Sequence, residues 1–195
     1  MMMSKKHAWF VLTVVAVVLI GAAAASADEE SEQAKMAKQR EKTDQMASTS
    51  LDRLMSATEK ANAMLENSYG YAVFDTTKAG LGVTGSGGTG VAVNNASGER
   101  TYMKMGGAGI GASVGAQNYQ LIFMFENQEA FEKFVDGKWQ GEPSAEAAAG
   151  TEGASATSTF SHGVAVYKLT DKGLMASADI SGNKYWVAEK LNSDK

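Results

Sequence analysis

The hydrophobic rhythm of the chain changes along its length. Phe10 to Ile20 is an unbroken apolar run, Asp28 to about Gln45 is polar and charged, and from Ala47 a helical period sets in. Ala47, Leu51, Leu54, Thr58, Ala61 and Leu65 step alternately by four and three, which places them on one helical face. Met55 widens that face, while Asp52, Arg53, Glu59 and Lys60 point away from it. The spacing predicts an amphipathic helix over Ser48–Glu66, ended by Asn67-Ser68. Such a helix either packs on a sheet or inserts its apolar face into a membrane surface.

After Ser68 the period drops to two, the signature of strands. Tyr69 to Asp75 alternates, and Ala79–Thr84 and Gly90–Asn94 read as short strands with a turn at Ser86-Gly87-Gly88 between them. Asn94 to Gly98 is a further turn, rich in residues that tolerate left-handed backbone. Thr101–Met105 and Gly107–Gly115 read as one long or bulged strand. Asn118–Phe125 reads as a strand buried on both faces, because Leu121, Phe123 and Phe125 alternate with Ile122 and Met124. Asn127 caps a short helix that buries Phe131, Phe134 and Val135 and stops at Gly137. Gly141 to Thr159 predicts a strand of small residues, since a structureless loop of that length is unusual inside a domain. Gly163–Leu169, Leu174–Ile180 and Lys184–Ala188 predict a three-stranded antiparallel meander. The expected class is α+β: an antiparallel, glycine-rich curled sheet or barrel, with an N-terminal amphipathic helix and one short internal helix.

Glycine changes this picture most. Gly80, Gly82, Gly85, Gly87 and Gly90, then Gly106, Gly107, Gly111 and Gly115, crowd a stretch expected to be sheet. Residues two apart share a strand face, so the runs leave faces nearly without side chains and invite close approach of backbone, helix or ligand. Gly80-Gly82-Gly85 and Gly85-Gly87-Gly90 fit the dinucleotide spacing, but no helix opens on the last glycine, so the anion site of that motif is missing.

The N-terminus carries Lys5 and Lys6, the apolar run and Ala25-Ser26-Ala27. This is the layout of a secretory signal peptide over residues 1–27, with an uncleaved anchor as the alternative. Residues 28–46 are expected to be a charged tether or frayed helix, and 47–195 the folded domain. The expected location is therefore exported, periplasmic or secreted, and peripheral to a membrane if attached to one. The formal charge of −4 becomes −6 without Lys5 and Lys6, which does not suit nucleic-acid binding. The chain has no Cys, which removes disulfides, thiolate metal sites and thiol nucleophiles together. His162 is the single histidine after the signal segment, and no metal-ligand spacing, no G-x-S-x-G elbow and no paired base accompany it. No catalytic residues, cofactor or metal are expected.

Gly70-Tyr71-Ala72-Val73-Phe74, Lys78 to Val83 and Gly85 to Val91 resemble the opening of the SYLF domain, a family of eukaryotic phosphoinositide-binding and cortical-actin proteins and of exported bacterial proteins. Gly106-Gly107 with Gly111 to Gln117 is similar to its second block. Leu121 to Phe125 followed by Asn127 to Phe131 resembles its strand-then-helix element, and Ala147 to Gly150 and Lys172 to Ala176 its later signatures. The resemblance runs from about Leu51 to the C-terminus. It implies a non-catalytic lipid-binding domain whose membrane contacts are a helix and basic residues, here Lys35, Lys38, Lys42, Leu51, Leu54 and Met55. The implied partner is a phospholipid or membrane surface, with no nucleic acid, and no actin for an exported bacterial protein. In Asp28–Asn67 acids outnumber Lys and Arg, which favours contact driven by apolar groups over strong anion affinity. The alternative is a structural or protein-interaction module of the cell envelope.

Overall fold

The computed structural model describes residues 5–138, 160–176 and 182–193. The chain divides into two compact units, Met1–Gln39 and Arg40–Lys195. The described part of the first is helical. It belongs to α1, which spans Lys5–Ala57, so the charged stretch over 28–46 is helix. The second unit holds the end of α1 and all the remaining elements.

The helix expected over 48–66 is present as two segments, the end of α1 and α2 (Glu59–Glu66). The break lies at Thr58, whose φ of −158° and ψ of 125° are extended. A β-branched residue loses rotamer freedom in a helix and adopts extended backbone readily. The predicted apolar face is used all the same: Ala47, Leu51, Leu54 and Ala61 are buried, with Thr58 and Leu65 half-buried.

β1 (Gly70–Asn94) and β2 (Arg100–Phe125) form one antiparallel hairpin, paired from Val93↔Arg100 to Gly70↔Phe125. The turn falls where the sequence predicts it. Asn94 Oδ1 accepts from the N–H groups of Ala96 and Ser97, and Gly98 N–H donates to Asn94 O at 2.8 Å. The turn expected at Ser86-Gly87-Gly88 is absent; these residues stay extended, opposite Gly107, Gly106 and Met105. Ladder hydrogen bonds come from backbone, so a run of glycines can remain in register when a complete partner strand lies beside it. The register shifts between Leu81 and Gly82, where Ala112 and Ser113 of β2 have no partners.

α3 (Gln128–Val135) starts at Asn127, whose side chain accepts from Ala130 N–H at 3.0 Å. It ends at Gly137, with φ of +69°. Both caps are as predicted. β3 (Val164–Thr170) pairs with β2 and with β4 (Gly173–Ala176). β5 (Asn183–Val187) pairs with Met103–Gly107 of β2, a partner the expected meander did not include; residues 177–181, which hold most of the expected middle strand and its turn to β5, lie outside the described residues. β2 is long enough to offer its edge twice, to β3 near one end and to β5 near the other. In this register Tyr185 of β5 reaches the aromatic core. The strand predicted over Gly141–Thr159 lies outside the described residues. α4 (Glu189–Asn192) follows β5, and its Asn192 side chain both accepts from and donates to the Tyr102 backbone at 3.0 and 2.9 Å.

The antiparallel α+β class is as expected, and the paired strands form an open sheet in the order β1-β2-β3-β4 with β5 also on β2. It is strongly curled. A Cβ at Gly88 or Gly90 would strike the carbonyls of Asp75 or Val73, and Asn95 N–H donates to Tyr69 O at 3.0 Å. The two ends of β1 therefore approach each other without a ladder that closes a barrel. Inside the curl lies an aromatic core of Phe74, Phe123, Phe125, Phe134 and Tyr185, whose ring centroids are 4.9–6.0 Å apart in edge and tilted contacts. Burial pushes the Tyr185 phenol well above its ordinary value.

Candidate functional site

Direct cross-strand partners share a face of the sheet. One face of the hairpin carries Ala72, Phe74, Ala92, Met103 and Met105 into the aromatic core. On the other face lie Tyr71, Val73, Val91, Val93 and Tyr102, and this face is covered by α1 and α2. Tyr71, Val91 and Val93 line a cleft of about 230 Å³ together with Ala47, Leu51 and Met55. Arg53 reaches the Thr170 carbonyl at 3.1 Å, Asn95 reaches Leu65 O at 3.1 Å, and the Tyr167 hydroxyl lies 3.6 Å from Met64 Sδ.

The helix is also held by polar contacts. The Tyr102 hydroxyl donates to Asp44 Oδ2 at 3.0 Å, and Arg100 Nε lies 3.6 Å from Asp44 Oδ1. Burial, and then the hydrogen bond to the Asp44 carboxylate, pushes the Tyr102 phenol up to about 12. Tyr71 is raised as well, chiefly by burial, with Arg100 acting against it. Arg40 Nε donates to Leu191 O at 2.7 Å, tying the helix to α4.

These contacts settle where several predicted residues lie. Leu54 is fully buried and Leu51 nearly so, both within the domain, and Met55 is half-buried at the cleft. Lys35, Lys38 and Lys42 are exposed on α1, the first two in the N-terminal unit.

The glycines divide by what faces them. Gly80, Gly88 and Gly90 lie against β1 backbone, a Cβ at Gly106 would lie 3.1 Å from the Trp186 ring, and Gly107 abuts Asn183. Gly82 is paired with Gly111 beside the register shift. Gly85 and Gly87 have nothing within 4 Å of a Cβ position, nor does Gly115, whose φ is +110°.

Beyond the helix the same sheet face is bare. Leu81, Val83, Gly85, Gly87 and Thr89 follow one another on it along β1. Ala108, Gly106 and Lys104 lie opposite on β2, and Lys184 and Trp186 on β5. Leu81 is 78% exposed, Val83 69% and Trp186 44%, and these are the large apolar side chains left exposed among the described residues. The reverse face here is packed: Thr84 is buried, and Ser86 donates to Asn183 Oδ1 at 2.7 Å. The apolar side chains therefore project outward. Sequence reasoning did not single out Leu81, Val83, Lys104, Lys184 or Trp186. One available signal was charge: Thr76–Asn94, Thr101–Phe125 and Asn183–Val187 contain Lys78, Lys104 and Lys184 but no Asp or Glu.

Little else has the form of a reaction site. His162, exposed and with φ of 51°, begins a tight reversal with Gly163 (φ 79°), closed by two hydrogen bonds between Ser161 and Val164. A polar groove of about 530 Å³ beside the β3–β4 turn includes Asn118, Lys172 and Lys168, whose ammonium lies 4.2 Å from the Tyr119 ring centroid. Among the described residues no cluster of His, Asp or Glu is placed to hold a metal ion, and no helix is long and apolar enough to cross a membrane.

Residues 106–194 match the family model described as Ysc84, Las17-binding protein actin regulator. Over 146 residues the chain is 41% identical to beta cell expansion factor A of Aeromonas veronii, which carries the same family domain. The shared stretch is 75% of this chain and 56% of that protein, so the chain spans little more than half the length of this relative. The matched region takes in the strand-then-helix element, β3 to β5 and the second glycine block, in the order read from the sequence. The chain belongs to the Ysc84 (SYLF) family.

Proposed function

We propose that the chain is a non-catalytic domain that binds a lipid or membrane surface after export, with residues 1–27 acting as its signal segment. The observation that carries this reading is a family domain whose sheet buries its aromatic residues efficiently yet leaves Leu81, Val83 and Trp186 to solvent. Exposed apolar groups grouped on one face of an otherwise well-packed domain mark a contact surface. The non-catalytic part is supported by the family and by His162, whose positive-φ turn position accounts for it without chemistry. Export is supported by the basic, apolar and A-x-A succession of the N-terminus.

Co-sedimentation of the full chain with zwitterionic and with anionic phospholipid vesicles tests the reading. Recovery of the protein in the vesicle pellet is the expected result. Protein that stays in the supernatant with both vesicle types overturns it.

A further inference from the structure

We infer that the domain meets an anionic bilayer through the bare middle stretch of the β1–β2 hairpin, with Leu81 and Val83 entering the apolar layer and Lys104 and Lys184 meeting lipid phosphates around Trp186. This assignment rests on the lipid-binding reading and adds the surface and the headgroup charge. The alternative within that reading is α1, and its apolar face is already committed: Leu51 and Leu54 are buried in the domain. Reaching a bilayer with them would require the helix to leave the sheet, breaking the Tyr102–Asp44 and Arg53–Thr170 contacts. Leu81 and Val83 need no such rearrangement.

The surface is open to a partner. Gly85 and Gly87 leave the backbone uncovered beside Val83, and the Trp186 ring lies against Gly106. An indole with an apolar body and one N–H is the side chain that favours the boundary between headgroups and acyl chains. Lys104 stands directly opposite Trp186 in the ladder, and Lys184 is two residues before it on the same face. Both lysines are exposed.

Charge selects the occupant and its orientation. The chain carries −4 overall, yet the bare stretch itself, Leu81–Thr89 of β1, Lys104–Ala108 of β2 and Lys184–Trp186 of β5, supplies Lys104 and Lys184 and no carboxylate, Asp75 lying farther back on the same face of β1. An anionic surface repels the acidic remainder and attracts this stretch, so the two effects orient the domain the same way. Each lysine near such a surface strengthens binding by about fivefold at physiological salt, and higher ionic strength weakens it.

The absence of cysteine gives a direct test in the full chain. A Val83→Cys variant and a Ser48→Cys variant, the latter on an exposed position of α1, are each labelled with an environment-sensitive fluorophore. They are then mixed with phosphatidylglycerol-containing or pure phosphatidylcholine vesicles. The expected result is a blue shift and intensity gain at position 83 with the anionic vesicles and little change at position 48. A Lys104→Gln/Lys184→Gln variant should bind the anionic vesicles roughly 25-fold more weakly while melting at the parental temperature. Co-sedimentation with an unchanged label at position 83 overturns the inference and leaves the lipid-binding reading standing. A position-83 response equal on both vesicle types overturns the role of the lysines. Failure of the unlabelled chain to bind either vesicle overturns both readings together.

Discussion

Two stretches of one sheet face behave in opposite ways. Around Tyr71, Val91 and Val93 the outward side chains of β1 are covered by α1, and Leu54 above the sheet is fully buried. A few residues along the same strand, Leu81 and Val83 alternate in the same sense but are largely exposed. The alternation is continuous, so periodicity does not distinguish the two stretches. The difference lies in what reaches them. The helix is followed by the break at Thr58 and then α2, and it covers both ends of β1, Tyr71 at one and Val91 and Val93 at the other, beside Asp44's partners Arg100 and Tyr102. The middle of β1 has Gly85 and Gly87 beside Val83, with nothing within 4 Å of a Cβ at either. An apolar strand face is thus core in one place and available surface in another, with the covering element deciding which.

The largest test of this contrast is a pair of truncations. Leu54→Ala should destabilise the domain by about 2–5 kcal/mol in denaturant unfolding, through lost transfer energy and a cavity. Leu81→Ala should change stability by less than about 0.5 kcal/mol, as for surface positions generally. Equal effects would mean that the helix does not cover the sheet as described, or that the bare stretch is not bare.

Glycines provide a second pair. Gly90→Ala places a methyl group against the Val73 carbonyl and the Phe74 ring, and overpacking of this kind costs about 1–3 kcal/mol. Gly87→Ala meets open space, so its melting temperature should stay level or rise slightly, because alanine loses less backbone entropy than glycine in a strand.

Tyr102→Phe should cost about 1–2 kcal/mol, since it removes a hydrogen bond to a carboxylate. The same residue sets a pH dependence. Its folded-state pKa is raised from 10.0 to about 12, so the neutral phenol is the favoured form in the fold. Its contribution is complete below the ordinary value and is lost as pH rises through the raised one. Alkaline unfolding curves of the parent should therefore steepen between these values, and those of Tyr102→Phe should be flatter there. Parallel curves would place the helix clamp elsewhere.

The smallest effect is expected at the β3 approach. His162 occupies left-handed backbone, so His162→Gly should leave stability unchanged or raise it by less than about 1 kcal/mol, the relief of strain being offset by the freer unfolded chain. A loss well beyond that would show that the imidazole does more than occupy a turn.

Much of the local structure was legible in the residues. The four-and-three spacing marked the face of α1 and α2 that is buried, Asn94 to Gly98 marked the hairpin turn, and Asn127 and Gly137 marked both ends of α3. Ser86-Gly87-Gly88 misled because a turn signal describes what a short segment tolerates alone, and a full partner strand overrides it. β5 misled for a related reason. Its sequence neighbour β4 was the nearest candidate in the chain, but β2 offered a free edge where Tyr185 could enter the aromatic core. The bare mid-strand stretch was hidden because exposure depends on which elements cover a face, information that no short window contains.

By itself, then, the sequence determined period, caps, turn chemistry and family, all of which rest on neighbouring residues or on their order along the chain. Only the tertiary structure decided which glycines are pressed against backbone and which stand open, and which apolar positions are core and which are surface. These are settled by contacts between segments far apart in the chain, through van der Waals exclusion and the burial of apolar area. Gly90 and Gly87 are chemically identical residues three positions apart, and the Val73 carbonyl and Phe74 ring against one of them make them different.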